Sequence, residues 1–421
     1  MRLGRSVRDG DSRYAALEGI LRREPPLGGE RVQVAELEEM KELVDRVEGR
    51  HLFVQGPPGS GKTWKGARLI LHLLERGQRV GIAATSHKAI HNLLDAIVEA
   101  GLSMPGLKKS SGGPESEYER GPIESAEGLE LFLDPELRLL AGTAWLFARP
   151  ELDQQLDYLF IDEAGQISLA DALAMGTSAK TLVLLGDPVQ LAQVSQGTHP
   201  GGSGASVLEH LLGDAQTIPE DRGLFLEHSF RMHADVCRYI SDAFYDSRLE
   251  AAEECVGQST ALGTGLRFVP VEHEGNRRSS SEEAARVREE FERLLGQEWT
   301  NAKGDTAPLG LNDILVVAPY NEQVKCLAEP LPRGARVGTV DKFQGQEAPV
   351  VFFSMATSSG EDVPRNLEFL LSRNRLNVAV SRAKCLAYVV ASPKLLEVGC
   401  RSIEQMRMAN ALCLFVEAAS Q

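Results

Sequence analysis

The sequence predicts an α/β protein of two tandem units, each a parallel sheet flanked by helices. Three observations carry that expectation. At 421 residues the chain is longer than one typical core. From about Ala35 onward, helix-period segments alternate with short runs that are apolar nearly throughout, as strands buried on both faces are. These runs fall into two series of five, and the stretch at 213–223 between them is bounded by glycine at each end and polar within.

The first series comprises 51–55, 79–85, 139–143, 158–162 and 181–186. The second comprises 266–271, 313–318, 336–340, 350–355 and 386–391. Helical patterns lie at 14–23, 63–74, 281–295 and 393–397, the last opening on Pro393, which suits a first helical position. The organisation expected is a lead-in over 1–30, a first unit over 31–215 and a second over 216–421. Two segments, 107–128 and 194–206, are rich in Gly or in Ser, Gly and Glu and read as exposed loops outside both sheets.

Composition narrows the function classes. Hydrophobic residues make up 43% and charged residues 25%, as in ordinary globular proteins, and no apolar run reaches the ~20 residues of a membrane span. The first eleven residues mix Arg with Asp and form no signal peptide, so the expectation is a cytoplasmic protein. Six cysteines stand far apart without a C-x-x-C pair and read as free thiols, which leaves any metal to arrive with a nucleotide. The formal charge of −15 argues against a general basic coat but not against a strand held in a local groove.

The run Gly56-Pro57-Pro58-Gly59-Ser60-Gly61-Lys62-Thr63 follows one apolar strand and opens a helix. Glycines there let backbone amides turn around a β-phosphate at a positive helix terminus. Lys62 then reaches the β- and γ-phosphates and the Thr63 hydroxyl holds Mg²⁺. Downstream, a second apolar strand ends in Asp162-Glu163. Two adjacent acids there suit phosphoryl transfer, Asp162 in the Mg²⁺ shell and Glu163 polarising water. A nucleoside triphosphate and Mg²⁺ are therefore the expected substrate and cofactor, and the chain a nucleotide-triphosphate hydrolase.

The remaining motifs resemble those of superfamily I helicases, in the family's order. Ala84-Thr85-Ser86-His87-Lys88-Ala89 is similar to motif Ia, Gly142-Thr143-Ala144 to a short strand-contacting motif, and Gly186-Asp187-Pro188-Val189-Gln190-Leu191 to motif III. Glu227-His228-Ser229-Phe230-Arg231-Met232-His233 resembles the arginine motif opening the second domain. Ala318-Pro319-Tyr320-Asn321 resembles motif IV, Gly338-Thr339-Val340-Asp341-Lys342-Phe343-Gln344-Gly345-Gln346-Glu347 motif V, and Asn377-Val378-Ala379-Val380-Ser381-Arg382 motif VI. The wording of the second half is similar to the 5′-to-3′ branch that holds the nonsense-decay and replication nuclease-helicases. The nearest likeness is the helicase half of bacterial proteins that also carry a RecB-like nuclease.

That resemblance implies two RecA-like P-loop domains with ATP in an interdomain cleft. It implies Arg231 and Arg382 as arginine fingers, Gln190 as γ-phosphate sensor, and contacts to nucleotide from Gly345, Glu347 and the face of Phe230. It implies single-stranded nucleic acid as partner, DNA ahead of RNA, touched by Thr85, Ser86, His87, Thr143, Thr339 and Lys342, with Tyr320 as a base-stacking platform. A nuclease partner or domain is a further implication, and no membrane is. The candidate contacts are to a backbone that DNA and RNA share, so the residues themselves do not choose between them.

Three departures from the family stand out. The adenine-reading glutamine upstream of the phosphate loop has no clear counterpart, Gln33 being the nearest in distance. Only about fifty residues separate motif Ia from Gly142-Thr143, where larger relatives insert a duplex-splitting subdomain, so weak unwinding is expected. Gly165 follows Asp-Glu-Ala where relatives have Ala or Ser. The alternative to a motor is an ATP-switched clamp that grips nucleic acid and recruits partners, a reading disfavoured by the presence of Lys62, Glu163, Gln190, Arg231 and Arg382 together.

Overall fold

The apolar runs of the first series become neighbours in one parallel sheet. The computed structural model describes residues 2–191, 204–343, 345–363 and 367–420. Within it the strands are β1 (His51–Gln55), β2 (Val80–Ala83), β3 (Gly106–Lys109), β4 (Ile123–Ala126), β5 (Leu139–Gly142), β6 (Leu156–Ile161), β7 (Ala179–Gly186) and β8 (Gly223–Phe225). Their order is β4-β3-β5-β2-β6-β7-β1-β8, every pairing parallel. The accompanying helices are α1 (Arg2–Asp9), α2 (Ala15–Arg22), α3 (Leu37–Arg46), α4 (Lys62–Glu75), α5 (His87–Glu99), α6 (Ala144–Phe147), α7 (Leu169–Gly176) and α8 (Val207–Leu212).

The helices bury the faces that their periodicity sets. In α4, Leu69, Ile70, Leu73 and Leu74 recur at helical spacing and are buried, and in α5 Ile90, Leu93, Leu94 and Ile97 do the same. They pack on Leu52, Val54, Ile82, Phe160 and Val183 from the sheet in one core. Each such side chain contributes roughly 1.5–3 kcal/mol relative to exposure. The lead-in helix α2 belongs to the same unit, with Leu17 and Ile20 buried. Asp153 holds the lead-in by accepting from Tyr14 Oη at 2.8 Å and pairing with Arg2 and Arg13.

The reading of 107–128 as an exposed loop is overturned. The segment supplies β3 and β4, which pair with one another and extend the sheet from β5. Four of its polar side chains bond within the unit, while Ser111, Glu115, Glu117, Glu119 and Arg120 between the two strands stay exposed. Lys108 is buried in β3 and donates through Nζ to the Ser116 carbonyl. Burial, then the neighbouring Lys109 charge, push its ammonium down to about 8. Ser110 and Ser116 share a 2.9 Å hydroxyl hydrogen bond, and Tyr118 Oη donates to Asp95 at 2.8 Å. The second expected loop, 194–206, lies outside the described residues up to 203; beyond that, Ser206 caps α8 by accepting from the Glu209 N–H.

The second unit begins at Glu227 and also takes in Pro58–Ser60 and Val189–Leu191. The chain leaves the first unit at Leu226 because 223–225 is itself a strand, β8, paired with β1. Short strands β9 (His228–Ser229) and β10 (Glu250–Ala251) pair in parallel, and β11 (Ser259–Thr260), β13 (Glu298–Thr300) and β14 (Thr306–Pro308) form an antiparallel ribbon. The main sheet has β12 (Gly265–Pro270), β15 (Ile314–Ala318), β16 (Arg336–Thr339), β17 (Ala348–Ser354) and β18 (Ala383–Ala391), in the order β12-β18-β17-β15-β16 and all parallel. All five runs of the second series are in it. Helices α9 (Ala234–Phe244), α10 (Ser281–Leu294), α11 (Asn321–Ala328), α12 (Leu367–Leu370), α13 (Arg373–Val380) and α14 (Ile403–Ala419) accompany it. The stretch opening on Pro393 is a 3₁₀ helix, Pro393–Glu397. Glu283 at the start of α10 is fully buried, accepting from Ser354 Oγ at 2.6 Å and the Ala356 N–H at 2.9 Å, with His273 Nε2 at 3.0 Å. Among the described residues no helix is long and apolar enough to cross a membrane.

One buried cation organises the amino edge of the first sheet. Arg79, 5% exposed, donates to the carbonyls of Leu137 (3.1 Å), Phe132 (2.8 Å) and Asp134 (2.9 Å). Those carbonyls lie in the connection that leads into β5. Replacing Arg79 by Met keeps the aliphatic volume but strands these acceptors, and is expected to cost roughly 2–4 kcal/mol of unfolding free energy. Chemical denaturation measures this; a loss under about 0.5 kcal/mol would show that the carbonyls find water instead.

Candidate functional site

Strand β1 is buried along its whole length and ends at Gln55, in register with Gly186 of β7. The chain then turns through the phosphate loop into α4. Gly59 and Gly61 both have φ of +75°, a left-handed backbone that side chains resist, which is why these positions are glycine. Gly61 is the residue before the first turn of α4, so the loop ends at a helix N-terminus with its free amides. Lys62 Nζ donates back to the Gly56 carbonyl of the same loop. Thr63 occupies the first turn of α4.

Strand β6 delivers the acid pair to the same edge. Asp162 follows Ile161, its N–H bonded to the Ala83 carbonyl at 2.8 Å. The Asp162 side chain is buried, and its Oδ1 accepts from the Glu163 N–H at 2.9 Å. Burial, and then the adjacent Glu163 carboxylate, push its carboxyl up to about 6, while that N–H and the charge of Lys62 act in the opposite direction. Glu163 has φ of +51°, a left-handed conformation uncommon outside glycine. Its side chain is half-buried and accepts from Thr85 Oγ1 at 3.1 Å. Lys62, Asp162, Glu163 and Thr85 are thus gathered at one place in the first unit.

Gly165 has a local cause. A Cβ there would stand 2.7 Å from the Asp187 carbonyl oxygen, so the residue lets the turn after Glu163 close on the end of β7. Of the expected strand contacts in this unit, Thr85 is exposed at the end of β2 and Thr143 sits half-buried at the end of β5. Ser86 is occupied as the cap of α5, accepting from the Ala89 N–H at 3.1 Å. His87 Nε2 meets Ser111 Oγ at 3.2 Å, and burial and Lys108 lower its pKa. Gln33 is not available to read a base: its amide donates to the Phe225 carbonyl at 2.9 Å and accepts from the Phe225 N–H at 2.8 Å, so it docks the 33 region on β8.

In the second unit the arginine motif and motifs V and VI converge. Arg231 Nε donates to Glu347 Oε2 at 2.7 Å and its Nη1 to the Ser381 carbonyl at 3.1 Å. Lys384 Nζ meets the other Glu347 oxygen at 2.8 Å. Burial opposes ionisation of Glu347, but the charge of Arg231 and the hydrogen bonds from Lys384 and Arg231 outweigh it and hold the carboxyl down at about 2. Arg382 is 3% exposed and donates to the Gln346 carbonyl at 3.3 Å. Gln190 is half-buried, its carbonyl accepting from Asn374 Nδ2 at 2.5 Å. Phe230 is 48% exposed, an open aromatic face. Gly345 has φ of +77° and nothing within 4 Å of where a Cβ would stand.

Tyr320 does not present the free platform expected of it. It is 5% exposed, and its ring stacks on Phe369 with centroids 5.5 Å apart. Thr339 ends β16, and Lys342 is exposed with Nζ 5.6 Å from the Phe343 centroid. Two contributors escaped the sequence reading. Lys384, two residues beyond Arg382, is half of the clamp on Glu347. Asn374 lies one turn before motif VI, and only the fold shows what it holds. Among the described residues no group of three or more His, Cys, Asp or Glu could hold a metal ion.

Comparison with known proteins agrees with this geometry. Two family profiles described as AAA domain match consecutive stretches, 38–203 and 204–394. The chain is 26% identical over 403 residues to the DNA polymerase alpha-associated DNA helicase A of Schizosaccharomyces pombe, covering 79% of this chain and 59% of that one. It is 25% identical to the DNA replication ATP-dependent helicase/nuclease JHS1 of Arabidopsis thaliana, covering 82% of this chain and 27% of that one. It is 25% identical to the DNA replication ATP-dependent helicase/nuclease DNA2 of Gallus gallus, covering 83% and 34%. The chain therefore spans between about a quarter and three-fifths of the length of these relatives. Fold, loops and matches together define a tandem AAA-domain, P-loop protein. The relatives it matches are named as helicases, and in its motifs the chain is similar to the superfamily I helicases.

The Arg231–Glu347–Lys384 clamp has a pH signature. Because the folded pKa of Glu347 lies below its ordinary value of 4.5, its contribution is present above pH 4.5 and lost as pH falls toward about 2. The carboxylate is 40% exposed, so solvent screening keeps the contribution near 1 kcal/mol. Glu347→Gln is expected to be less stable than wild type by about that amount at pH 7, with the gap closing below pH 4.5. Denaturation curves at pH 7 and pH 3 measure it, and a gap that does not change with pH would assign the loss to packing.

Proposed function

We propose that the chain is an ATP-driven nucleic-acid motor that moves on single strands, 5′ to 3′, with DNA as the favoured track. The observation that carries this reading is the hydrogen bond from Thr85 to Glu163. It joins the loop expected to touch a strand to the acid expected to activate water, so a change at one is felt at the other. A plain ATP hydrolase has no need of such a link. The names of the relatives, a polymerase-associated DNA helicase and two replication helicase/nucleases, support DNA as the track.

In this mechanism the amides of Gly56, Gly59, Ser60 and Gly61 turn around the ATP phosphates, Pro57 and Pro58 shaping the loop, and Lys62 exchanges the Gly56 carbonyl for a phosphate oxygen. Thr63 and Asp162 would hold Mg²⁺. The buried, acid-raised carboxyl of Asp162 fits that role, since a bound cation is the partner that would stabilise its ionised form. When bound, the metal neutralises charge on the phosphates. Glu163 orients and deprotonates the attacking water. Gln190 senses the γ-phosphate. Arg231 and Arg382 neutralise charge that grows on it in the transition state, a role worth about 10³–10⁵ in rate in other phosphoryl-transfer enzymes. Phe230 stacks on adenine, Gly345 approaches the phosphates by backbone, and Glu347 orients Arg231 as well as the ribose. Thr143, His87, Thr339 and Lys342 hold strand phosphates and sugars. Ser86 serves as helix cap and presents its backbone, and Tyr320 supports the surface from beneath through Phe369. Translocation exceeds duplex unwinding in this reading, and a 5′-tailed duplex opened efficiently by the chain alone would refute that order.

The central test is ATP turnover with and without matched DNA and RNA single strands. Stimulation by a strand is expected, larger with DNA; equal turnover with no strand, DNA and RNA would refute the motor and favour an ATP-switched clamp. Glu163→Gln is expected to bind ATP and strand while turnover falls by at least about 100-fold, and Lys62→Ala to lose ATP binding. Thr85→Val is expected to lose most of the strand stimulation while its KM for ATP stays within about twofold of wild type. Undiminished stimulation in that variant would break the proposed link between strand and acid.

A further inference from the structure

The most exposed large hydrophobic side chain among the described residues is Trp145, at 84%. An indole left in water at that level is uncommon, because tryptophan loses more by exposure than any smaller apolar residue. It is not at a ragged terminus. It stands in the first turn of α6, two residues beyond Thr143, where β5 ends. It borders a cavity of about 360 Å³ wholly within the first unit.

That cavity opens at the carboxyl ends of β2, β5 and β6. Ala83 of β2 is in register with Gly142 of β5 and with Ile161 of β6, so Thr85 and Thr143 emerge side by side. Both line the cavity, with Gln166, Asp171 and Trp145, over an apolar floor of alanines and Ile167. A mostly apolar cavity bordered by an indole suits a planar, uncharged ring. Gln166 brings an amide with both a donor and an acceptor, the pairing that a base edge offers. Asp171, whose carboxylate accepts from Ser168 Oγ at 2.8 Å, puts negative charge in the wall and so repels a phosphate from the slot itself. A lysine stands next to β5: a Cβ on Gly142 would stand 3.2 Å from Lys109 Cβ, and the Lys109 ammonium donates to the Ser110 carbonyl at 2.7 Å, a bond it would exchange for a phosphate oxygen.

We propose that Trp145 is a base-stacking platform, and that the slot beside it takes one nucleobase of a single strand whose phosphates run over Thr85, Thr143 and Lys109. This rests on the motor reading above and gives the strand an aromatic grip on the first unit, whereas Tyr320 of the second unit is covered by Phe369. Stacking is indifferent to which base is present, as a motor that moves along any sequence requires. The thymine or adenine ring lies against the indole while the sugar-phosphate backbone stays in solvent.

The test compares wild type, Trp145→Ala and Trp145→Phe for binding of single-stranded oligothymidylate and of a deoxyribose-phosphate strand of the same length without bases. Trp145→Ala is expected to weaken oligothymidylate binding roughly 5- to 100-fold and to leave the base-free strand within about twofold. Trp145→Phe keeps an aromatic face and is expected to recover most of the affinity, which also excludes misfolding as the cause. Oligothymidylate is expected to quench the tryptophan fluorescence of wild type and much less that of Trp145→Ala, in which Trp64 and Trp299 remain. If wild type binds the strand and Trp145→Ala binds it equally well, the platform is refuted and the motor reading stands. If Trp145→Ala weakens both strands alike, the stacking role is refuted in favour of a phosphate path. If wild type binds no single strand, both readings fall together.

Discussion

The parallel register of β2, β6, β7 and β1 is the constraint on which the first unit depends. Ala83 lies opposite Ile161, Ile161 opposite Leu184, and Val54 opposite Leu185. Parallel pairing aligns carboxyl ends, so four loops leave the sheet at one edge. The phosphate loop, Thr85, Asp162-Glu163 and Asp187 are those loops. A slip of one residue in any strand would turn its inward side chains outward and carry its loop about 3 Å along the strand. The chemistry is therefore held by the same apolar contacts that hold the fold.

Charge is distributed to match. Asp162 is buried and its carboxyl raised toward neutrality, which leaves it poised to gain by meeting a cation. In the second unit the opposite case holds: Glu347 sits between Arg231 and Lys384 and stays ionised far below the usual carboxylate range. One acid awaits a charge partner, and the other is spent on orienting two of its own chain's cations. Glu163 is half-buried, in a left-handed backbone and tied to Thr85. A backbone so unusual at the residue assigned to water activation fits a site where local conformation is imposed by what surrounds it.

The ten strands read from apolar runs are all present, because a strand buried on both faces leaves a continuous apolar signature that little else produces at that length. The misreadings share one cause. Segment 107–128 read as an exposed loop because it is rich in Ser, Gly and Glu, yet its ends pair as strands and Lys108, Ser110, Ser116 and Tyr118 bond within the unit. The family resemblance implied Tyr320 as a platform, yet Phe369, far along the chain, covers it. Ser86 was expected to touch a strand and is engaged by a helix end, and Gln33, near the place of the missing adenine-reading glutamine, is engaged by the backbone of β8. In each case the partner is invisible in the local sequence.

By itself the sequence determined the two α/β units, the phosphate loop, the acid pair and the order of helicase motifs, since these rest on residue type at fixed spacing along the chain. Tertiary structure alone decided which of the candidate side chains are free to act. It assigned Glu347 to Arg231 and Lys384, linked Thr85 to Glu163, withdrew Tyr320 and exposed Trp145. The reason is physical: exposure and hydrogen-bond partners come from contacts between distant segments, and no spacing rule along the chain encodes them.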